Sequence, residues 1–215
     1  MKAFLFDLDG TLLNTLPDIA AAMNWALARH QLAVFPEDAY RQLVGNGARV
    51  LAERAVRERQ ELAEQVLADY QGRYETHCTE RTRPYPGMPE TLRALQEAGL
   101  HLCVLSNKPD ADTRHVIARY YPEIAFDAVQ GGRPGVPLKP DPAAALSLCE
   151  GLGLRPADFL YAGDSGVDMT CARRAGMTAV GVTWGFRDEE ELRAAGADRI
   201  VHMPQELLRL IREEP

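Results

Sequence analysis

From about residue 84 onward, short apolar runs alternate with segments whose apolar residues recur every three or four positions. LCVLS (102–106), DFLYAGD (158–164), MTAVGVTWG (177–185) and RIVHM (199–203) have strand length, and their apolar residues point to both sides. That is the pattern of strands covered by helices on both faces of a sheet. Between them, DTRHVIARYY (112–121), PAAALSLCEGLG (142–153), SGVDMTCARRAG (165–176) and EEELRAAGA (189–197) read as helices, and a last helix follows Pro204. AFLFDL (3–8) supplies a further strand at the start. Strands alternating with helices of roughly 10 to 15 residues predict βαβ crossovers, and therefore an α/β fold with a Rossmann-like parallel sheet.

Residues 15 to about 80 break this rhythm. LPDIAAAMNWALARHQ, PEDAYRQLV, GARVLAERAVRERQ and ELAEQVLADYQGRYETHC are all helical in pattern, and no segment of strand length separates them. The expected organisation is an all-helical cap (15–81) inserted after the first strand of a core domain made of residues 1–14 and 82–215. The cluster RPYPGMP (83–89) marks the exit from the insert.

Composition narrows the possible partners. The 215 residues suffice for one core and a modest second lobe, and a net charge of −7 argues against a nucleic-acid partner. No apolar run approaches the roughly 20 residues that span a bilayer, and the N-terminal run is too short for a signal peptide, so a cytoplasmic location is expected. Cys78, Cys103, Cys149 and Cys171 form no CxxC pair and are expected to be free, buried thiols. Monomer and homodimer are both compatible with this composition.

The candidate chemistry lies at the strand ends, where open parallel sheets bind ligands. Asp7 and Asp9 end the first strand on the same side, ahead of Gly10-Thr11. Asp164 ends a later strand, and Asp168 follows one helical turn on. Each carboxylate pair at about 4 Å would cost on the order of 4 kcal/mol at an effective dielectric of 20, so the group calls for a cation. Its donors are all oxygen, with no His or Cys, which selects a hard ion, best matched by Mg²⁺. Ser106 and Asn107 end another strand and could hold phosphate oxygens. Lys139 precedes Pro140 in a loop, extended and aimed rather than wound into a helix.

FDLDGTL (6–12), LSN (105–107), LKP (138–140) and GDSGVD (163–168) resemble, in order and spacing, the four motifs of the haloacid dehalogenase superfamily. The resemblance implies a phosphatase with Asp7 as nucleophile and Asp9 as general acid and base. It implies Mg²⁺ held by Asp7, the Asp9 backbone carbonyl and Asp164, with Asp168 in support through water or Lys139. Thr11, Ser106, Asn107 and Lys139 would support the phosphate and the nucleophile. LVGNGARVLAERAV (43–56), RPYPGM (83–88) and SNKP (106–109) resemble bacterial phosphoglycolate phosphatases. A small phosphorylated metabolite, 2-phosphoglycolate, is therefore the expected substrate, with Arg49 a candidate for its distal carboxylate. A β-phosphoglucomutase-like isomerase, a pyrophosphatase and a catalytically idle binding domain are the alternatives. The presence together of Asp7, Asp9, Lys139 and Asp164 argues against the last.

Overall fold

The computed structural model describes residues 1–211. Its strands are β1 (Ala3–Phe6), β2 (Leu13–Asn14), β3 (Arg83–Pro84), β4 (His101–Pro109), β5 (Ala128–Gly132), β6 (Phe159–Gly163), β7 (Thr178–Val182) and β8 (Arg199–Val201). Six of them form one sheet in the order β5-β4-β1-β6-β7-β8, and every pairing is parallel. Strand order reverses at β1, which lies between β4 and β6: Phe6 pairs with Val104 on one side and Ala162 on the other. That reversal is the switch point at which an open α/β sheet leaves a crevice beyond its carboxyl ends.

Alternation along β1 builds a core on each face. Phe4 and Phe6 stack with ring centroids 5.3 Å apart and pack with Leu102, Val104, Leu160 and Ala162. Ala3 and Leu5 face the other way, with Cys103, Phe159 and Tyr161. The first face is covered by α5 (Met88–Glu97) and α6 (Asp110–Tyr120), through Met88, Leu92 and Val116. The second is covered by α7 (Ala143–Leu152), α8 (Gly166–Ala175) and α9 (Glu189–Ala194), through Leu148, Met169 and Leu192. A short α10 (Leu207–Leu210) follows Pro204. Each fully buried side chain of this size contributes about 1.5–3 kcal/mol of transfer free energy.

The helical insert comprises α1 (Leu16–Arg29), α2 (Tyr40–Leu43), α3 (Ala48–Ala55) and α4 (Ala63–His77). Its two crossings to the sheet pair as the antiparallel β2–β3 ribbon. The buried Asp18 carboxylate at the start of α1 accepts the Arg81 and Thr82 amides, at 2.9 and 2.8 Å, which ties the exit of the insert to its entry. Met23, Leu27, Leu51, Val66 and Tyr74 join the Phe4–Phe6 core without a break.

The expected α/β architecture is present, with local differences. β1 stops at Phe6, although the Asp7 amide still donates to Ala162 O at 2.9 Å. β4 runs on to Pro109, with a shift of register against β5 between Leu105 and Pro109. β5 and α5 have no counterpart among the segments that the apolar pattern predicts. All four cysteines are free and buried, and burial pushes the Cys103 thiol up to about 12. Among the described residues, no helix is long and apolar enough to cross a membrane.

One surface feature secures the β4–α6 junction beside the crevice. The Asp110 carboxylate accepts the Arg114 guanidinium at 2.8 Å, the Gly131 amide at 2.8 Å and Arg133 at 3.1 Å. Burial opposes ionisation, but these donors outweigh it and bring the carboxyl down to about 2. A depressed folded pKa contributes stability that is complete above the unfolded value near 4 and is lost as pH falls through 2. Discounted for partial exposure, the contribution is about 1–2 kcal/mol. Urea unfolding of Asp110→Asn should show that deficit at pH 7, and the gap to the wild type should narrow as pH falls from 4 toward 2.

Candidate active site

The carboxyl ends of β1, β4 and β6 converge with the loop between β5 and α7. Asp7, one residue past β1, is buried, and its Oδ1 accepts Lys139 Nζ at 2.7 Å. The same ammonium donates to Asp168 Oδ1 at 2.7 Å and to Leu105 O at 3.0 Å. The side chain of Lys139 is only 3% exposed. Burial alone would lower its pKa, but Asp168 and Asp7 outweigh burial and raise it, so it stays charged. Asp168 is in turn fixed by the Ser165 hydroxyl and the Tyr161 hydroxyl, the latter at 3.4 Å.

Asp164 sits just beyond β6, within a tight backbone frame. Its Oδ2 accepts the Phe186 amide at 2.7 Å, and its Oδ1 accepts the Thr11 hydroxyl at 3.3 Å. Gly10 has φ +94°, and a Cβ there would stand 2.2 Å from Asp164 Oδ2. A Cβ on Gly185 would stand 2.3 Å from Asp164 Cβ. Any side chain at either position would push the carboxylate out of place.

Asp7, Asp164 and Asp168 present oxygens that all lie within 4.8 Å of one another. Burial, and then Asp168, holds the Asp7 carboxyl well above the usual range despite Lys139. Burial and Asp168 push Asp164 up to about 7, against the Phe186 amide. One ammonium therefore does not neutralise three buried carboxylates. An all-oxygen donor set short of positive charge fits a hard divalent cation.

Asp9 takes a different direction from the cluster. Both of its carboxylate oxygens accept Lys108 Nζ at 2.9 Å. Lys108 is 7% exposed, and its ammonium lies 4.7 Å from the ring centroid of Tyr74 in α4. Burial works to lower its pKa, yet Asp9 outweighs burial and leaves it raised.

Thr11, Ser106, Asn107 and Arg49 are placed differently from one another. Ser106 lines the central cavity, with its Oγ accepting the Lys108 amide at 3.2 Å. Asn107 also borders the cavity, but its amide group is engaged elsewhere. Nδ2 donates to Lys139 O and to Gly45 O, both at 3.0 Å, while Oδ1 accepts the Lys139 amide at 2.8 Å. It clamps the Lys139 backbone and latches the insert, instead of offering its amide to a phosphate. Thr11 is fully buried and reaches Asp164, not the cavity. Arg49 lies outside the site. Ala48 and Leu51 turn toward the cavity, while the next position around α3 carries Arg49 outward to an exposed ion pair with Glu64. Lys108, Asp112 and Tyr70 line the cavity without having been singled out from the sequence. SNKP carried Lys108 in plain view, but nothing local told a buried lysine from a solvated one. The insert is further held by Arg187 Nη2 donating to Val44 O at 3.0 Å and Arg41 Nη1 to Gly185 O at 2.9 Å.

Residues 4–182 match the model of the haloacid dehalogenase-like hydrolases. The chain belongs to that family. This hydrolase is 36% identical to a phosphoglycolate phosphatase of Mannheimia succiniciproducens, with 98% of each chain covered. It is also 36% identical to an N-acetylmuramic acid 6-phosphate phosphatase of Pseudomonas aeruginosa, covering 97% of this chain and 93% of the other. A crystal structure of a predicted phosphoglycolate phosphatase from Haemophilus somnus superposes with a TM-score of 0.91 at 31% identity, with 98% of each chain covered. Family and full-length relatives together make it a phosphatase.

Proposed function

We propose that this phosphatase hydrolyses 2-phosphoglycolate to glycolate and inorganic phosphate, with Mg²⁺ bound and a phosphoryl group carried transiently on Asp7. The observation that carries the reading is the buried Asp7 carboxylate at a strand end, 2.7 Å from the Lys139 ammonium and beside two further carboxylates. Asp7, Asp164 and the Asp9 backbone carbonyl would hold the ion, with Asp168 in support beside them through Lys139. When bound, Mg²⁺ would draw charge from the transferring group and reduce its repulsion by the nucleophile.

An Asp7 oxygen forms the new bond to phosphorus while the bond to the ester oxygen breaks. Asp9, protonated and turned away from Lys108, gives its proton to the departing alkoxide. A water then attacks phosphorus, Asp9 takes its proton, and the bond to Asp7 breaks to release phosphate. Lys139 holds Asp7 in place and lowers the charge it presents. Ser106, which lines the cavity, would donate to a phosphoryl oxygen, and Thr11 would steady Asp164. The helical segment 15–81 acts as the cap that shuts out water and selects the substrate.

The names of the relatives support a small phosphate ester: full-length matches at 34–36% identity are called phosphoglycolate phosphatase, and one at 36% is named for N-acetylmuramic acid 6-phosphate. Phosphate release should be measured with Mg²⁺ and with EDTA across 2-phosphoglycolate, N-acetylmuramic acid 6-phosphate, hexose phosphates, nucleotides and pyrophosphate. The expected result is release that EDTA abolishes, with kcat/KM for 2-phosphoglycolate at least about 10-fold above the rest. Preference for a sugar phosphate or pyrophosphate would overturn the substrate, and a requirement for a sugar bisphosphate would turn the enzyme into a mutase.

A further inference from the structure

The cavity contains two buried ammonium groups, and the chemistry above uses only Lys139. Lys108 stands apart from the three-carboxylate cluster and takes both oxygens of Asp9 at 2.9 Å, under the face of Tyr74. Asp9 cannot keep both oxygens on Lys108 and also reach the ester oxygen beside Asp7. If Asp9 turned away alone, it would leave a buried, unpaired ammonium, an arrangement that costs several kcal/mol. A negative group has to take its place, and an anionic substrate entering the cavity can supply one. Of the two lysines that line the cavity, Lys139 is already shared by Asp7 and Asp168, which leaves Lys108 as the cation for a second anion.

We propose that Lys108 is the receptor for a second anionic group on the substrate, a carboxylate a few bonds from the phosphate ester, and that its capture by this group frees Asp9 for proton transfer. The proposal rests on the assignment of Asp7 and Asp9 made above. One carboxylate replaces another, so the charge around Lys108 is conserved, and the released Asp9 carboxylate takes a proton from solvent before it serves as the acid. Lys108 then serves for selection and timing together: a phosphomonoester without a second anion leaves Asp9 bound to Lys108. The Tyr74 ring, from the cap, fixes the ammonium where both carboxylates can reach it.

The test compares 2-phosphoglycolate with ethyl phosphate, which has the same carbon chain and no carboxylate, in the wild type, Lys108→Met and Lys108→Arg. The wild type should prefer 2-phosphoglycolate strongly. Lys108→Met should lower kcat/KM for 2-phosphoglycolate roughly 100-fold while kcat for ethyl phosphate rises, because Asp9 is no longer held. Lys108→Arg should keep the preference within about 10-fold of the wild type. Equal losses on both substrates would make Lys108 a structural residue only, and an unchanged preference, or none in the wild type, would overturn the proposal. Binding gives a readout independent of turnover. In Asp7→Asn protein, adding Lys108→Met should weaken 2-phosphoglycolate by calorimetry roughly 100-fold, and unchanged affinity would overturn the proposal. Phosphate release surviving in Asp7→Asn would instead remove the nucleophile assignment, and the binding comparison would still decide Lys108.

Discussion

Replacing Asp7 by asparagine is expected to lower phosphate release by at least about 10⁴-fold, the scale of loss seen when a covalent nucleophile is removed. The substitution keeps shape and buried volume but exchanges a carboxylate oxygen for a neutral amide oxygen, which is far less nucleophilic. The fold should tolerate it. Lys139 keeps Asp168 at 2.7 Å and the Leu105 carbonyl at 3.0 Å, so the ammonium stays paired. Burial and the neighbouring Asp168 already hold the Asp7 carboxyl well above its ordinary range, so the native charge is a burden on the folded state. A neutral amide relieves it, and the melting temperature should hold or rise. The check is a phosphate-release assay beside a thermal melt. Turnover at the wild-type rate in a folded Asp7→Asn protein would sink the mechanism.

The site's legibility from sequence followed from topology. Parallel strands buried on both faces are nearly uniform apolar runs, so β1, β4, β6 and β7 stood out. Residues just past their carboxyl ends were bound to meet if the sheet switched direction between them. Asp7, Lys139, Asp164 and Asp168 do meet. β5 escaped notice because AVQGG carries two glycines and a glutamine on a half-buried edge. α5 was hidden by Pro89, which reads as a turn although proline suits a first helical turn. Phase around a short helix was not legible either: in α3 it sends Leu51 inward and Arg49 to Glu64. Nor was the partner of Asp9, because the pairing with Lys108 joins positions 99 residues apart through tertiary packing alone. The apolar pattern of MTAVGVTWG predicts strand throughout, whereas β7 ends at Val182 and the chain turns to bring the Phe186 amide onto Asp164.

Lys139→Met is expected to act on stability as well as on turnover. The ammonium is the cation shared by Asp7 and Asp168, at 2.7 Å from each. Methionine fills much of the same volume but leaves Asp7, Asp164 and Asp168 without it. Removing one partner from a buried charge group costs about 3–5 kcal/mol, and the same loss of positive charge beside the nucleophile should lower phosphate release by at least about 10³-fold. The pH dependence identifies the cause. Asp7 and Asp164 have folded pKa values raised by burial and by Asp168, Asp164 to about 7. A carboxyl raised on folding binds its proton more readily in the native state, so stability is greater at low pH and falls as pH rises through the folded value. The deficit of Lys139→Met should therefore be largest at pH 8 in EDTA and shrink toward pH 5, where the cluster takes up protons in place of the lost ammonium. Millimolar Mg²⁺ at pH 8 should restore part of it, because a cation bound only by the folded state adds stability by mass action. Equal urea midpoints for wild type and Lys139→Met at pH 8 in EDTA would mean that the three carboxylates are not crowded together. A deficit independent of both pH and Mg²⁺ would trace instead to lost packing against Tyr161, whose ring centroid lies 5.9 Å from the ammonium.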